Sequence, residues 1–257
     1  MARYRAMISS DWNECLAPCG PFDAIAFTYP DLEPELASVF RRYTGNEISL
    51  GEAAARIESI LPRPLTESQA DAYLDREFRI YRGVWELIRW AGQHDVLFMI
   101  NTTGMIGYFQ RIFARGLLPA VPLLAAHPLV RFAASPTDPE TVLPLYETTD
   151  KSVHTDAVAR RFSIPFSRIA VMGDSGGDGP HFSWAAENGA IRIGSMTKAS
   201  LAGFCQREKI DISLRFGLSY KPGKERNEAE EMRFDFQDLI PYLSDNLLTA
   251  QRALLTS

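Results

Sequence analysis

The chain has 257 residues, enough for one large domain or for a domain carrying a smaller insert. It is 46% hydrophobic and 23% charged with a formal net charge of −5, a globular composition that lacks the Lys/Arg block needed to neutralise a nucleic-acid backbone. The odd set Cys15, Cys19 and Cys205 excludes a disulfide framework, no His or Cys pair is placed to close a zinc site, and no apolar run approaches the roughly 18 residues of a membrane-spanning helix.

Residues 3–10 read as a first strand, ended by Asp11. Arg3 and Arg5 precede only this short apolar run, so no secretory leader is expected and a cytoplasmic protein is. From Cys15 to Asp31 the chain is rich in Pro, Gly and aromatics (Pro18, Gly20, Pro21, Phe22, Phe27, Tyr29, Pro30), which predicts irregular structure or a hinge. Three amphipathic helices follow. Leu32–Tyr43 carries apolar residues at 36, 39, 40 and 43, Leu50–Leu61 at 53, 54, 57, 60 and 61, and Thr66–Ile80 at 70, 73, 74 and 78. Ser49 with Glu52 and Thr66 with Gln69 have capping-box spacing, and Pro62 and Pro64 stop the middle helix.

The pattern then changes. Gly83–Gln93 reads as a helix, Val96–Ile100 as a buried strand and Ile106–Phe113 as a helix. The proline-rich stretch 119–148 predicts loops with short strands or a hairpin around Leu129–Ala134. Lys151–Phe162 (helix), Ile169–Met172 (strand), Pro180–Glu187 (helix) and Ala190–Ile193 (strand) complete an alternation that predicts a parallel sheet with helices on both faces. Beyond it, Ile210–Phe216 reads as a strand, the charged run Lys221–Arg233 as an exposed loop and Asp235–Leu255 as a helix.

The chemistry concentrates where apolar runs end. Ile169-Ala-Val-Met-Gly-Asp-Ser-Gly-Gly-Asp178 is an apolar run that breaks into two carboxylates, Asp174 and Asp178, on a glycine loop. Asp11 and Thr102 also follow apolar runs, and a doubly wound sheet binds ligands beyond the carboxyl ends of its strands. Lys151, the first lysine in the chain, starts a predicted helix, where a cation can neutralise a phosphate. Asp11 and Asp174 offer the hard oxygen ligands that Mg²⁺ prefers, and Asp178 can hold a ligand water. The plainer readings are that Asp174, Asp178 and Asp11 are turn or cap residues, that Lys151 is a solvated helix-start lysine, and that Asn13 sits in an Asx turn. Asn101 or Thr103 replaces Thr102 as a phosphate contact if the strand register shifts. Among the histidines only His181 is expected near the site. Trp12, Phe22, Phe27 and Tyr29 are candidates for pocket walls or for packing, and no arginine between residues 41 and 82 can be singled out as a substrate contact.

The set resembles the haloacid dehalogenase superfamily, mostly Mg²⁺-dependent phosphatases, over roughly 1–17 and 90–195. Asp11-Trp12-Asn13 lies where the nucleophile motif belongs, Ile100–Gly104 resembles the second motif, Lys151 the third and Gly173–Asp178 the fourth. The resemblance implies a three-layer, doubly wound, Rossmann-like α/β core (1–17 and 83–200), with a helical cap (18–82) inserted as in phosphoserine phosphatase-like members. Residues 201–257 are expected to form an extension packed on the core. It further implies Asp11 as a nucleophile forming an aspartyl-phosphate, and Mg²⁺ held by Asp11, Asp174 and the Asn13 carbonyl with help from Asp178. Thr102, Thr103 and Lys151 contact the phosphoryl group of a small phosphorylated metabolite. The first motif departs from that family's Asp-x-Asp-Gly-Thr: Asn13 stands where an acid/base aspartate belongs, followed by Glu14 and Cys15. Loss of a general acid/base costs about 10²–10⁴-fold in rate. Glu14 is expected to point away if the chain is extended there. The alternatives are slow turnover restricted to good leaving groups, a persistent phosphoenzyme, or a non-catalytic phosphate-binding protein on the same scaffold.

Overall fold

The computed structural model describes residues 3–44 and 47–249. Seven strands form one sheet in the order β4-β3-β2-β1-β5-β6-β7, every neighbouring pair parallel. They are β1 (Ala6–Ser10), β2 (Val96–Met105), β3 (Leu123–His127), β4 (Thr141–Pro144), β5 (Ile169–Gly173), β6 (Ile191–Thr197) and β7 (Leu214–Ser219). The central strands are buried along their whole length. Such strands read as continuous apolar runs because helices cover both faces.

Alternation along the strands separates the two faces. Ala6, Ile8, Val96, Phe98, Ile100, Ala170 and Met172 pack into one apolar cluster, whereas Met7, Leu97, Met99, Ile169 and Val171 pack into another. The second is covered by α7 (Asp150–Phe162), α8 (Gly179–Glu187) and α9 (Ala199–Arg207), which contribute Val158, Ala159, Phe182, Ala185, Leu201 and Cys205. The first is covered by α5 (Val84–Gln93) and α6 (Ile106–Ala114).

Four further helices precede α5 between β1 and β2: α1 (Asp23–Thr28), α2 (Glu33–Thr44), α3 (Leu50–Ile60) and α4 (Glu67–Glu77). Both capping boxes form: Ser49 accepts from the Glu52 amide and Thr66 from the Gln69 amide, with each N3 side chain returning to the cap amide. The segment has no apolar core of its own. Leu36, Val39, Ala53, Ile57, Ala70 and Tyr73 belong to the same cluster as the sheet face. Arg111 on α6 clamps Asp71 on α4 through two bonds of 2.9 and 2.8 Å, and Arg115 donates to the Asp71 carbonyl at 2.9 Å.

Four expectations are corrected. The proline- and aromatic-rich stretch after Cys15 includes α1, and the Phe27 ring packs edge-on against Tyr73, 5.6 Å away, rather than standing in a loop. Residues 129–134 form no strand; the sheet instead takes Leu123–His127 and Thr141–Pro144, whose parallel pairing needs a crossover where a hairpin was expected. The run 221–233 is not simply a solvated loop. It includes the short α10 (Glu228–Glu231), and Glu231 is fully buried, accepting from Tyr81, Tyr220 and Arg226. The expected helix over Asp235–Leu255 is broken. A 3₁₀ turn at Phe236–Leu239 leads into α11 (Ile240–Leu243) and a π turn at Ser244–Leu248, and the rest of the range lies outside the described residues. Phe236 anchors this end between Tyr81 and Phe216. Among the described residues no helix is long and apolar enough to cross a membrane.

One contact joins the inserted helices to the opposite edge of the sheet. The Glu147 carboxylate, just past β4, accepts from the Leu50 and Gly51 amides at 3.1 Å each, at the N-terminus of α3. An anion there satisfies otherwise unpaired donors and meets the positive end of the helix dipole. Glu147→Ala is expected to cost about 1 kcal/mol of stability. Denaturant unfolding measures the loss, and amide hydrogen exchange at residues 50 and 51 is expected to speed up while exchange in β1 and β5 does not.

Candidate active site

The strand order reverses at β1, which lies between β2 and β5, and all three strands end at the same edge. Ser10 is paired with both Ile100 and Met172. The register therefore carries Asp11, Asn101 and Gly173 to one level, at the switch point where such sheets bind ligands. The Asp11 amide donates to the Met172 carbonyl at 3.0 Å, continuing the ladder one residue past the strand. The Trp12 amide donates to Asp11 Oδ1 at 2.7 Å and fixes the rotation of the carboxylate.

Three of the predicted residues meet at a single ammonium. Lys151 Nζ lies 3.1 Å from Asp11 Oδ2 and 2.6 Å from Asp178 Oδ1, with only 1% of the lysine side chain exposed. The other Asp178 oxygen accepts from the amides of Asp174 (3.0 Å) and Ser175 (3.2 Å), folding the glycine loop back on itself. Gly173 makes this possible, since a Cβ there would stand 2.5 Å from the Asp178 carboxyl carbon. Carboxylate oxygens of Asp11, Asp174 and Asp178 all lie within 4.8 Å of one another, and all three residues are buried.

One ammonium shared between two carboxylates does not offset the burial of all of them. Burial pushes Asp11 above the ordinary carboxylate range, with Lys151 opposing and Asp178 reinforcing the shift. It pushes Asp174 well above that range, against the pull of Lys198. Burial works to lower Lys151, but Asp11 and Asp178 outweigh it and hold the ammonium protonated. Asp174 Oδ2 is buried without a hydrogen bond, although Lys198 Nζ stands 3.0 Å away at ion-pair distance. A buried carboxylate oxygen with an ammonium as its one partner, beside two more carboxylates, is a donor set that fits a hard divalent cation. The Asn13 carbonyl also accepts no hydrogen bond from the described residues.

The other predicted residues fall into place unequally. Thr102 and Thr103 lie in the second, irregular half of β2, where the register with β3 shifts. Thr103 borders the small cavity above Asp11 and Lys151, while the buried Thr102 hydroxyl donates to Asn13 Oδ1 at 3.1 Å. Asn13 in turn donates to the Cys19 carbonyl at 3.2 Å, so its amide is held from both ends. Asn101 turns to the opposite face and braces the start of α7, donating to the Lys151 carbonyl at 2.9 Å and to Ser9 and Thr155. His181 is buried behind the lysine at 2.9 Å from the Thr155 hydroxyl, and burial lowers it to about 3, so it stays neutral. Trp12 is wholly buried, edge-on to Phe109, and does not line the cavity.

Glu14 overturns an expectation. It adopts φ +58°, so the chain is not extended and the side chain turns back toward the site. One carboxylate oxygen meets Lys198 and the other meets Arg226. The Lys198 and Arg226 contacts had no counterpart in the sequence reading. Lys198 follows the end of β6, the same signal that marks Asp11 and Asp174, but the strand runs four residues further than its apolar part. Tyr43 from α2 closes the cavity from above. Burial raises its hydroxyl to about 12 despite the opposing pull of Lys151. A larger cleft of about 700 Å³ opens beside this cavity between the inserted helices and the sheet edge, bordered by Glu14, Tyr43, Glu147, Ser175 and Lys198.

A phosphoserine phosphatase solved as a phospho-aspartyl intermediate analogue superposes with a TM-score of 0.63 at 14% identity, covering 93% of this chain and 99% of that one. A HAD family hydrolase from Salmonella enterica serovar Typhi gives 0.62 at 14% identity, over 82% of this chain and 67% of its own. The fold is that of the haloacid dehalogenase-type hydrolases. Cytosolic 5'-nucleotidase IIIB, solved with cytidine, shares it more loosely, with a TM-score of 0.54 at 14% identity over 83% and 81% of the two chains. No family model matches the sequence, and no curated protein does. The motif resemblance is thus borne out at the level of the fold, by structure where overall sequence similarity is too low to register.

The raised carboxylates set a pH dependence. Burial holds the Asp174 carboxyl of the folded protein well above its ordinary pKa of about 3.9. The stability associated with it is fully present below that value and is lost as pH rises through the folded-state value. In metal-free protein, Asp174→Asn is therefore expected to be near neutral at about pH 4 and increasingly stabilising toward about pH 8. Added Mg²⁺ is expected to raise the melting temperature of the parent but not of the variant. Thermal melts of both proteins across that range, with and without Mg²⁺, measure it.

Proposed function

We propose that the protein is a Mg²⁺-dependent phosphatase or phosphotransferase that acts on a small phosphorylated metabolite through an aspartyl-phosphate on Asp11. The observation that carries this reading is the convergence of Asp11, Asp174 and Asp178 on one site with Lys151 between two of them, at the reversal point of the sheet. Asp11, Asp174 and the Asn13 carbonyl would hold the cation. Asp178 contributes by orienting Lys151 and the glycine loop, since both of its oxygens are already engaged. Bound there, Mg²⁺ supplies charge neutralisation for phosphoryl oxygens.

The chain's own groups do the rest. Asp11, held by the Trp12 amide, attacks phosphorus in line. The Lys151 ammonium, fixed by Asp178, and the Thr103 hydroxyl at the cavity wall hold the transferring oxygens, with Thr102 stationed behind Asn13. Phosphoryl transfer asks mostly for such positioning and electrostatics. We assign residues 18–82 as a cap that excludes water, residues 1–17 and 83–200 as the core, and 201–257 as an extension. The cleft between cap and core takes the rest of the substrate. The three cysteines are unpaired, which suits a reducing compartment such as the cytoplasm.

The leaving group receives little help. Asn13 has no proton to give, and Glu14 is committed to Lys198 and Arg226. Substrates whose leaving groups depart as stable anions, such as acyl phosphates, fit this site. Hydrolysis of the phosphoenzyme is slow for the same reason. A second reading, phosphate binding without turnover, is favoured by the way Thr102 and Cys19 lock the Asn13 amide.

A panel of phosphate esters and acyl phosphates incubated with Mg²⁺ separates the two, read for free phosphate and for phosphate bound to protein. The enzyme reading expects label on the protein that Asp11→Asn abolishes; equal silence of both proteins across the panel sinks it. Asn13→Asp restores an acid/base group and is expected to raise turnover by about 10²-fold or more, through faster decay of the labelled protein.

A further inference from the structure

Lys151 is not the only ammonium at the site. Lys198 Nζ stands 3.0 Å from Asp174 Oδ2, a buried oxygen with no other polar partner, and also meets Glu14. The two lysines differ in freedom. Lys151 is 1% exposed and pinned between two carboxylates, whereas the Lys198 side chain is 24% exposed and borders both the small cavity and the 700 Å³ cleft.

The backbone is shaped to aim it there. The register between β6 and β7 shifts between Ser195 and Thr197, and Met196 takes φ +44°, a conformation that β-strand residues other than glycine rarely adopt. Opposite, Gly217 at φ +75° makes room for the Met196 sulfur, which a Cβ would meet at 2.3 Å. The Lys198 amide then donates to the Asp174 carbonyl at 2.7 Å, locking the two strand ends together. Backbone held in this way beside a functional site points to a role for the side chain it directs.

Charge makes that role specific. Asp11, Asp174, Asp178 and Glu14 bring four carboxylates together; Lys151 and Lys198 stand among them, and Arg226 holds Glu14 from the far side. A divalent cation at Asp174 would stand next to the Lys198 ammonium with the same carboxylate between them. Building on the metal-dependent reading above, we propose that Lys198 is the resident counter-ion of Asp174, which the divalent cation must displace, so that metal and ammonium exclude each other there. The displaced ammonium keeps Glu14 as its anchor and faces the cleft, where it meets an anionic substrate. Metal loading is thereby set by this chain's own lysine, and metal and substrate phosphate favour each other's binding.

The test is a Mn²⁺ titration of the full chain, followed by the EPR signal of the free ion. Lys198→Met keeps the stem, removes the charge and leaves Glu14 paired with Arg226; it is expected to bind Mn²⁺ about tenfold more tightly or better. Lys198→Gln is expected to shift affinity in the same direction, and Lys198→Arg, which keeps the charge, to stay within about threefold of the parent. Asp174→Asn is expected to abolish binding in the parent and in the Lys198→Met background, which identifies the site being read. Equal or weaker affinity in both charge-removing variants overturns the inference and leaves the metal-dependent reading standing. Absence of Mn²⁺ binding in the parent and in every variant overturns both.

Discussion

Lys151 is buried at the point where β1 and the loop after β5 end, and much of the fold is arranged around keeping its charge there. Its ammonium is shared by Asp11 and Asp178, its carbonyl is bound by Asn101, and Thr155 one turn later bonds to the same carbonyl and to Ser9. Removing one partner of a buried ion pair typically costs about 3–5 kcal/mol, while an apolar replacement of the whole pair is often neutral. Stability alone therefore gives no reason to bury this lysine. A site that must meet an anion does, because a fixed positive charge in a dry setting needs no reorganisation when the anion arrives.

The same geometry leaves the site short of positive charge. Burial raises Asp11 and Asp174 together, against the opposing pull of Lys151 on the one and Lys198 on the other. The shortage is local: the chain as a whole carries only −5. A cation entering from solvent or an ammonium swinging in from the cleft can each relieve it, and both compete for one oxygen. Access depends on the helices between β1 and β2, which share their apolar cluster with the sheet and are tied down by Arg111, Arg115 and Glu147.

Much of this was legible in the sequence because it is local. A parallel strand buried on both faces is a short apolar run, and the residue that ends it lands at the ligand-binding edge; Asp11 and Asp174 follow from that, and Asp178 from the glycine loop that continues the run. Lys151 at a helix start and the capping boxes at Ser49 and Thr66 are equally local. The failures share a different cause. Leu129–Ala134 is as apolar as a strand, yet the sheet pairs residues 123–127 and 141–144, a choice made by long-range packing. The direction of Glu14 depends on a positive φ that nothing in Asn13-Glu14-Cys15 announces, and the aim of Lys198 depends on a bulge set by pairing with β7. Glu231 sits in a charged run yet is buried, because Arg226 from the same run, Tyr220 just before it and the distant Tyr81 converge to satisfy it.

Asn13 and Glu14 are best understood together. In an Asp-x-Asp motif a free carboxylate at position 13 would face the leaving group. Here the amide is tied to Thr102 and Cys19, and the nearest additional carboxylate, one residue on, is neutralised by Lys198 and Arg226. The proton-transfer group has been exchanged for an ion-pair chain running from Asp174 through Lys198 and Glu14 to Arg226 and Glu231. Such a chain holds charge in place but cannot deliver a proton near neutral pH, because its cationic members are held protonated by the carboxylates around them. Under the function proposed above, a site built this way takes up a phosphoryl group and lacks the means of releasing it quickly to water, so that the lifetime of the proposed phosphoenzyme is set by how slowly unassisted water attacks it.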